Sequence, residues 1–187
     1  MWSSPVNQAV IRDLGIKPTE RVLDVGAGMG AGTVVAARAG AHVVAVEPTP
    51  FLRAILRVRR LGQRARKKIE IVDGSAEQLP VDAATIDAAW AVNVMHHWTN
   101  ADTAIDELCR VVVPGGRILL VDESFDDPAH PEHESARSAR HRDNLHFDHV
   151  DPEVVSTKLG TSGFRVHEAA SSVFAGRPAK VVRATRS

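Results

Sequence analysis

The 187-residue chain has a single cysteine, no tyrosine, and aromatic residues at only 4%. One thiol, Cys109, excludes an internal disulfide framework and any multi-cysteine zinc site. Neither sign of charge is in excess: 23 Lys plus Arg balance 23 Asp plus Glu. That balance argues against a general nucleic-acid or polyanion binder, which is usually strongly basic, although a local basic patch stays open. No apolar run approaches the roughly 18 residues of a membrane span, so no membrane partner is expected. The opening MWSSPVNQAV lacks the basic-then-apolar order of a secretory signal, and a cytoplasmic location is expected. Internal repeats and low-complexity segments are missing as well. What is present is a 44% hydrophobic chain, enough for one core. Two domains would each be undersized, so a single domain over residues 1–187 is expected.

Short apolar runs alternate with stretches of helical length. The strand-like runs are Arg21–Val25, His42–Val46, Ile69–Val72, Ile86–Val92 and Arg117–Val121, separated by helical segments Gly32–Ala39, Phe51–Lys68 and Ala101–Val111. Near-continuous apolar strands alternating with helices indicate a parallel sheet covered on both faces. Pro5–Leu14 predicts a short leading helix. Asp126–His149 is rich in charge and histidine and carries Pro128 and Pro131, so it is no central strand. Asp151 as N-cap and Pro152 at the first helical position start a helix to Leu159. Strands Phe164–Ala170 and Lys180–Thr185 close the chain.

The sharpest local feature is VLDVGAGMG, Val22–Gly30, placed where the first strand ends and the first helix begins. Its glycines permit a tight turn and close approach of a ligand to the backbone, at the strand ends where open α/β sheets bind ligands. Gly26, Gly28 and Ala31 also fit the dinucleotide pattern G-x-G-x-x-G/A, so a nicotinamide or flavin enzyme is one reading. Glu47 ends the second strand about 20 residues on, where a carboxylate accepts from both hydroxyls of a ribose. Asp24 leans away from the dinucleotide. Beside a pyrophosphate it adds negative to negative, whereas the sulfonium and ammonium of S-adenosylmethionine suit it.

From Val22 to Glu123 the chain resembles the class I S-adenosylmethionine-dependent methyltransferases, in the group with small-molecule and ubiquinone-type members. Four blocks carry the resemblance: VLDVGAGMG, VVAVEP, DGSAEQLP followed by TIDAAWAVNVMHHW, and ELCRVVVPGGRILLVDE. The resemblance implies a Rossmann-like, doubly wound, mostly parallel seven-stranded sheet with helices on both faces and a C-terminal antiparallel hairpin. It implies methyl transfer from S-adenosylmethionine to a small-molecule acceptor, with S-adenosylhomocysteine as product. Asp24, Gly26 and Gly28 would meet the methionine end, Glu47 the ribose, and Ser75 and Ala76 the adenine, with Ala27 and Pro48 also among the cofactor-binding residues. Ser75 stands where the family often has an aspartate, and a neutral hydroxyl makes the weaker bond to the adenine amino group. Asn93, at the end of the fourth strand, either faces the cofactor cleft or caps the strand. The segment before Val22 is short for the family, which leaves an open cavity or one completed by a second subunit of a homodimer. A non-catalytic methyltransferase-like module is the other reading that Ser75 and the short N-terminal segment leave open.

His96 and His97 follow the fourth strand and are the candidates for a catalytic base; the alternative for His97 is packing under the cofactor beside Trp98. The histidines of Asp126–His149 (130, 133, 141, 146 and 149) read as scattered on a solvated segment, and Pro131 spoils H-x-x-H as a metal pair. The resemblance implies that this segment is a lid that covers the site and selects substrate. Finally, Arg53, Arg57, Arg60 and Arg64 fall on one helical face. Nucleic acid or anionic lipid could dock on such a face, but the favoured expectation is an exposed basic face with Leu52, Ile55, Leu56 and Leu61 turned to the sheet. No [D/N/S]-P-P-[Y/F/W] run follows the fourth strand, which argues against amino methylation of adenine or glutamine.

Overall fold

The computed structural model describes residues 4–143 and 151–187. The elements run α1 (Pro5–Asp13), β1 (Arg21–Val25), α2 (Ala31–Arg38), β2 (His42–Val46), α3 (Pro50–Leu61), β3 (Ile69–Val72), β4 (Ile86–Val92), α4 (Ala101–Val111), β5 (Val112–Glu123), α5 (His133–Asp143), α6 (Pro152–Thr161), β6 (Phe164–Phe174) and β7 (Arg177–Arg186). Short 3-10 turns lie at Arg66–Lys68 and Met95–His97. The seven strands form one sheet in the order β3-β2-β1-β4-β5-β7-β6. The first five strands are parallel, and β7 pairs antiparallel with both β5 and β6. The order reverses beside β1, and the carboxyl ends of β1 and β4 open a crevice there.

The alternation of side chains along β1 assigns the two faces. Leu23 and Val25 pack with Ile105 and Leu108 of α4 and Val155 and Leu159 of α6. Val22 packs on the other face with Val6 and Val10 of α1 and Ala36 of α2. Asp24 therefore points to the α1/α2 face, a polar group in an apolar layer.

Several boundaries differ from the sequence expectation for local reasons. α3 stops at Leu61, where Gly62 caps it, and only a 3-10 turn covers Arg66–Lys68. β5 starts at Val112 rather than Arg117, because Val112 already pairs with Ile86 and the Pro-Gly-Gly residues that follow are absorbed as a register shift. β6 and β7 run further than expected. Ala175 and Gly176 both have positive φ (52° and 75°), so a two-residue turn matches the twist of the strands and pairing begins at once with Phe174 and Arg177.

Candidate active site

A cavity of about 560 Å³ opens at the carboxyl ends of the central strands. Asp24, Gly26, Ala27, Gly28, Glu47 and Pro48 line one part of its wall, and Ser75, Ala76 and Asn93 another. All the expected cofactor residues thus border one space. Gly26 has φ of +66°, and a Cβ there would fall 2.5 Å from Val94 Cγ2. Gly28, at φ +53°, has nothing within 4 Å of the position of a Cβ, so its backbone stands open.

Glu47 is 4% exposed and closes this turn. Its Oε2 accepts from the Gly28 amide at 2.8 Å, and its Oε1 from the Thr49 amide at 2.8 Å. The carboxylate ties β2 to the glycine turn of β1 while remaining on the cavity wall. Asp24 is held differently. Its Oδ2 accepts from Thr33 Oγ1 of α2 at 2.6 Å. Burial pushes its carboxyl up to about 7, against hydrogen bonding from Thr33, with the nearby Glu47 charge adding to the rise. The Trp90 indole Nε1 faces the same spot, and no partner of good geometry completes its hydrogen bond among the described residues.

Arg53 overturns the expectation of an exposed basic face. It is 7% exposed, and its guanidinium turns inward under the β2 terminus. Nη1 donates to the carbonyls of Glu47 (2.7 Å) and Pro48 (2.6 Å), and the two terminal nitrogens grip Asp73 at 2.7 and 2.9 Å. The fork geometry of a guanidinium suits such a role, and it holds the main chain that carries Glu47. Leu56 is buried as expected, but Leu61 is turned outward rather than onto the sheet. The buried side of α3 is narrow, because only one edge of the sheet lies under it.

The two histidines separate. His97 is exposed and lines the cavity together with Trp98, a placement that suits either a base or a residue packed under the cofactor. Burial of its ring holds His97 below the usual imidazole value, and His96 adds to this, while Asp122 and Glu47 oppose it. His96 is not part of the cavity wall. Its Nδ1 donates to Asp122 Oδ2 at 2.9 Å, and Asp122 also accepts from the amides of Val94, Met95 and His96. Burial raises the Asp122 carboxyl, but the His96 bond and charge and these amides outweigh burial and hold it below the usual range. Asp122 and His96 thus shape the 3-10 turn that presents His97.

Ser75 lines the cavity close to Glu77, a third acid on the wall, whose Oε1 accepts from the Thr99 amide at 2.7 Å and hydroxyl at 3.1 Å. Burial pushes Glu77 up, yet its own amide, Ser75, Thr99 and Asn100 together hold it below the usual value.

Part of the cavity wall was not legible in the sequence. Glu123, Phe125, Glu132 and Arg177 contribute to it, as do Ser4, Pro5 and Asn7 at the start of α1. The start of α1 thus forms part of the cavity wall. Arg177 Nη1 donates to Glu123 Oε2 at 2.9 Å and Glu132 Oε1 at 3.0 Å. His130, expected on a solvated lid, is instead buried. Its Nδ1 accepts from the Glu132 amide at 3.1 Å, so Nε2 carries the hydrogen offered to Glu123 at 3.1 Å. His133 lies against the Phe125 carbonyl at 3.2 Å. The side chain of His141, and His146 and His149 altogether, lie outside the described residues. Among the described residues no three His, Cys, Asp or Glu side chains are arranged to hold a metal ion.

A family model described as a methyltransferase domain matches residues 23–120, more than half of the chain. The chain belongs to this methyltransferase domain family. It is 37% identical over 107 residues to an uncharacterised methyltransferase of Mycobacterium tuberculosis, covering 57% of this chain and 41% of that relative. It is 31% identical over 168 residues to a demethylmenaquinone methyltransferase of Clavibacter sepedonicus, covering 90% and 62%. The chain thus spans between about two fifths and three fifths of the length of these relatives. A SAM-dependent methyltransferase of Aquifex aeolicus has the same fold, with a TM-score of 0.72 at 20% identity, covering 97% of this chain and 89% of that one.

Proposed function

We propose that this protein transfers the methyl group of S-adenosylmethionine to a small-molecule acceptor bound in the same cavity, beside Glu123 and Arg177. The observation that carries the reading is the open backbone of Gly28 beside the buried Glu47 carboxylate, both on one cavity wall. The donor set fits the cofactor. Asp24, Glu47 and Glu77 line the cavity, and Arg177, the one Lys or Arg among its described lining residues, is paired with Glu123 and Glu132. Such a wall suits a sulfonium and an ammonium and opposes a pyrophosphate, which weighs against a nicotinamide enzyme.

When bound, S-adenosylmethionine supplies a methyl group on a sulfonium, open to in-line displacement by the acceptor. The chain's own residues bind and align. Glu47 accepts hydrogen bonds from the ribose hydroxyls, and Arg53 fixes its backbone. Pro48 and Leu52 offer apolar surface, Ala76 its amide, and Ser75 with Glu77 a polar edge at the adenine end. Asp24 supplies charge near the methionine end, and its carboxyl ionises more readily beside a cation. His97 is positioned to take a proton from a hydroxyl or amine acceptor. Holding its imidazole below the usual value keeps it unprotonated at neutral pH. Alignment within the cavity supplies much of the acceleration in such displacements.

The test is calorimetric titration with S-adenosylhomocysteine and with NAD, followed by a turnover screen with methyl-labelled S-adenosylmethionine over a panel of small acceptors. Binding of S-adenosylhomocysteine but not NAD, with label transfer to at least one acceptor class, is expected. Tighter binding of NAD overturns the cofactor assignment. Tight S-adenosylhomocysteine binding with no transfer across the panel favours a binding module.

A further inference from the structure

The outward face of α3 is apolar from end to end. Phe51, Val58 and Leu61 are 71%, 68% and 67% exposed, and the exposed Ala54 lies between them. Spacing of three, four and three residues puts these four side chains in one stripe along the helix. Among the described residues these are three of the five large hydrophobic side chains that stand exposed. The sheet does not require this stripe, because Leu56 and Arg53 are the residues α3 buries.

Charge around the stripe has one sign. No Asp or Glu occurs from Pro50 to Lys68, a stretch with eight Lys and Arg residues. Arg59 and Arg60 fold back onto the carbonyls of Met29 and Ile69, at 2.8 and 3.0 Å. Arg57 stands exposed beside Ala54 and Leu61, and Arg64, Arg66 and Lys67 stand exposed on the segment that follows the helix. A second copy of the chain is a poor occupant. A two-fold contact would set arginine against arginine, and four side chains fall far short of the roughly 20–30 residues per side of a stable interface. An apolar ridge edged by cations instead matches a surface whose interior is hydrocarbon and whose rim is anionic.

We propose that α3 docks the protein peripherally on anionic lipid bilayers, with Phe51, Val58 and Leu61 entering the headgroup–acyl boundary and Arg57, Arg64, Arg66 and Lys67 meeting lipid phosphates. No helix of the described residues is long and apolar enough to cross a membrane, and none is needed for this mode. Thr49 and Leu52, at the start of the same helix, line the cavity. Docking through α3 therefore brings the edge of the cavity close to the bilayer.

The experiment is co-sedimentation of the full chain with vesicles of equimolar phosphatidylglycerol and phosphatidylcholine, and with vesicles of phosphatidylcholine alone. Binding to the anionic vesicles is expected, with a drop of about tenfold or more on neutral vesicles or in about 0.5 M salt. Val58→Glu with Leu61→Glu, and separately Arg57→Glu with Arg64→Glu, are expected to abolish binding at unchanged thermal midpoint and unchanged S-adenosylhomocysteine affinity. Should the first pair fail to fold, Val58→Ser with Phe51→Ser makes the same cut in apolar surface. Absence of binding, equal binding to both vesicle types, or wild-type binding by the apolar variants overturns the proposal. So does a dimer in sedimentation velocity that the Val58→Glu, Leu61→Glu variant dissociates, since a second copy then owns the stripe.

Discussion

Asn93 and Glu123 exchange two hydrogen bonds across the carboxyl ends of β4 and β5: Asn93 Nδ2 donates to Glu123 Oε1 at 2.7 Å, and the Glu123 amide donates to Asn93 Oδ1 at 2.8 Å. Asn93 does this at φ +56°, a left-handed conformation that asparagine tolerates better than most residues. Both polar ends of its side chain are thereby engaged, so the strand-capping reading of Asn93 has direct support in the geometry. Asn93→Ala is expected to cost about 2–3 kcal/mol of stability, from a charge-assisted bond and the left-handed backbone. Asn93→Gly removes the same bonds but accepts the backbone, and is expected to cost less. Urea unfolding of the pair decides; a glycine variant no more stable than the alanine one removes the backbone part of this account.

Glu47 is expected to matter more for the cofactor than for the fold. Glu47→Ala removes the acceptor for the ribose hydroxyls, and a weakening of S-adenosylhomocysteine binding by about 1.5–3 kcal/mol is expected. Calorimetry on the folded variant measures it. Unchanged affinity takes Glu47 out of the site.

Asp24 links the site to pH. Its carboxyl is raised from 3.8 to about 7 in the native protein, so the native state binds the proton more tightly than the unfolded chain. The stability this contributes is complete below about 3.8 and is lost as pH rises through about 7. Asp24→Asn is expected to flatten stability between pH 4 and 7. Binding of the cationic S-adenosylmethionine is expected to expel a proton near pH 6, and the neutral S-adenosylhomocysteine to expel less. Titrations in two buffers of different ionisation heat count the protons, and identical counts for the two ligands contradict this role.

His97 and His96 are expected to fail in different ways. His97→Asn is expected to lower kcat and erase an acid limb lying below pH 6.5, with stability kept because the ring is exposed; a loss of cofactor affinity at unchanged pH profile favours the packing role instead. His96→Asn is expected to lower the thermal midpoint first, since Asp122 loses its imidazole partner in a buried setting. A pH–rate profile of the His97 variant that retains the limb rejects His97 as the base.

Ser75→Asp is expected to weaken S-adenosylhomocysteine binding, the opposite of what an ionised acceptor for the adenine amino group suggests. The new carboxylate would stand beside Glu77 and deprive it of the Ser75 hydroxyl. Tighter binding by the variant means that the adenine reaches position 75 and that Glu77 does not interfere.

Local pattern determined much of this molecule. Strands β1 to β4 have the bounds read from their apolar runs, because parallel strands covered by helices are mostly apolar and short turns punctuate them. The glycine turn and Glu47 were legible because each terminates such a strand, and strand ends converge in an open α/β sheet. The tertiary structure alone decided which sides of α3 meet protein and solvent. Its sequence offers arginine and apolar residues to several faces, so composition cannot say that Arg53 turns in and Leu61 turns out. Only the position of β2 and β3 beneath the helix does. The same holds for the Glu123, His130 and Arg177 cluster. Glu123 and Arg177 lie 54 residues apart and carry no shared motif; the antiparallel register that sets Glu123 opposite Ala179 brings their charges to one wall of the cavity.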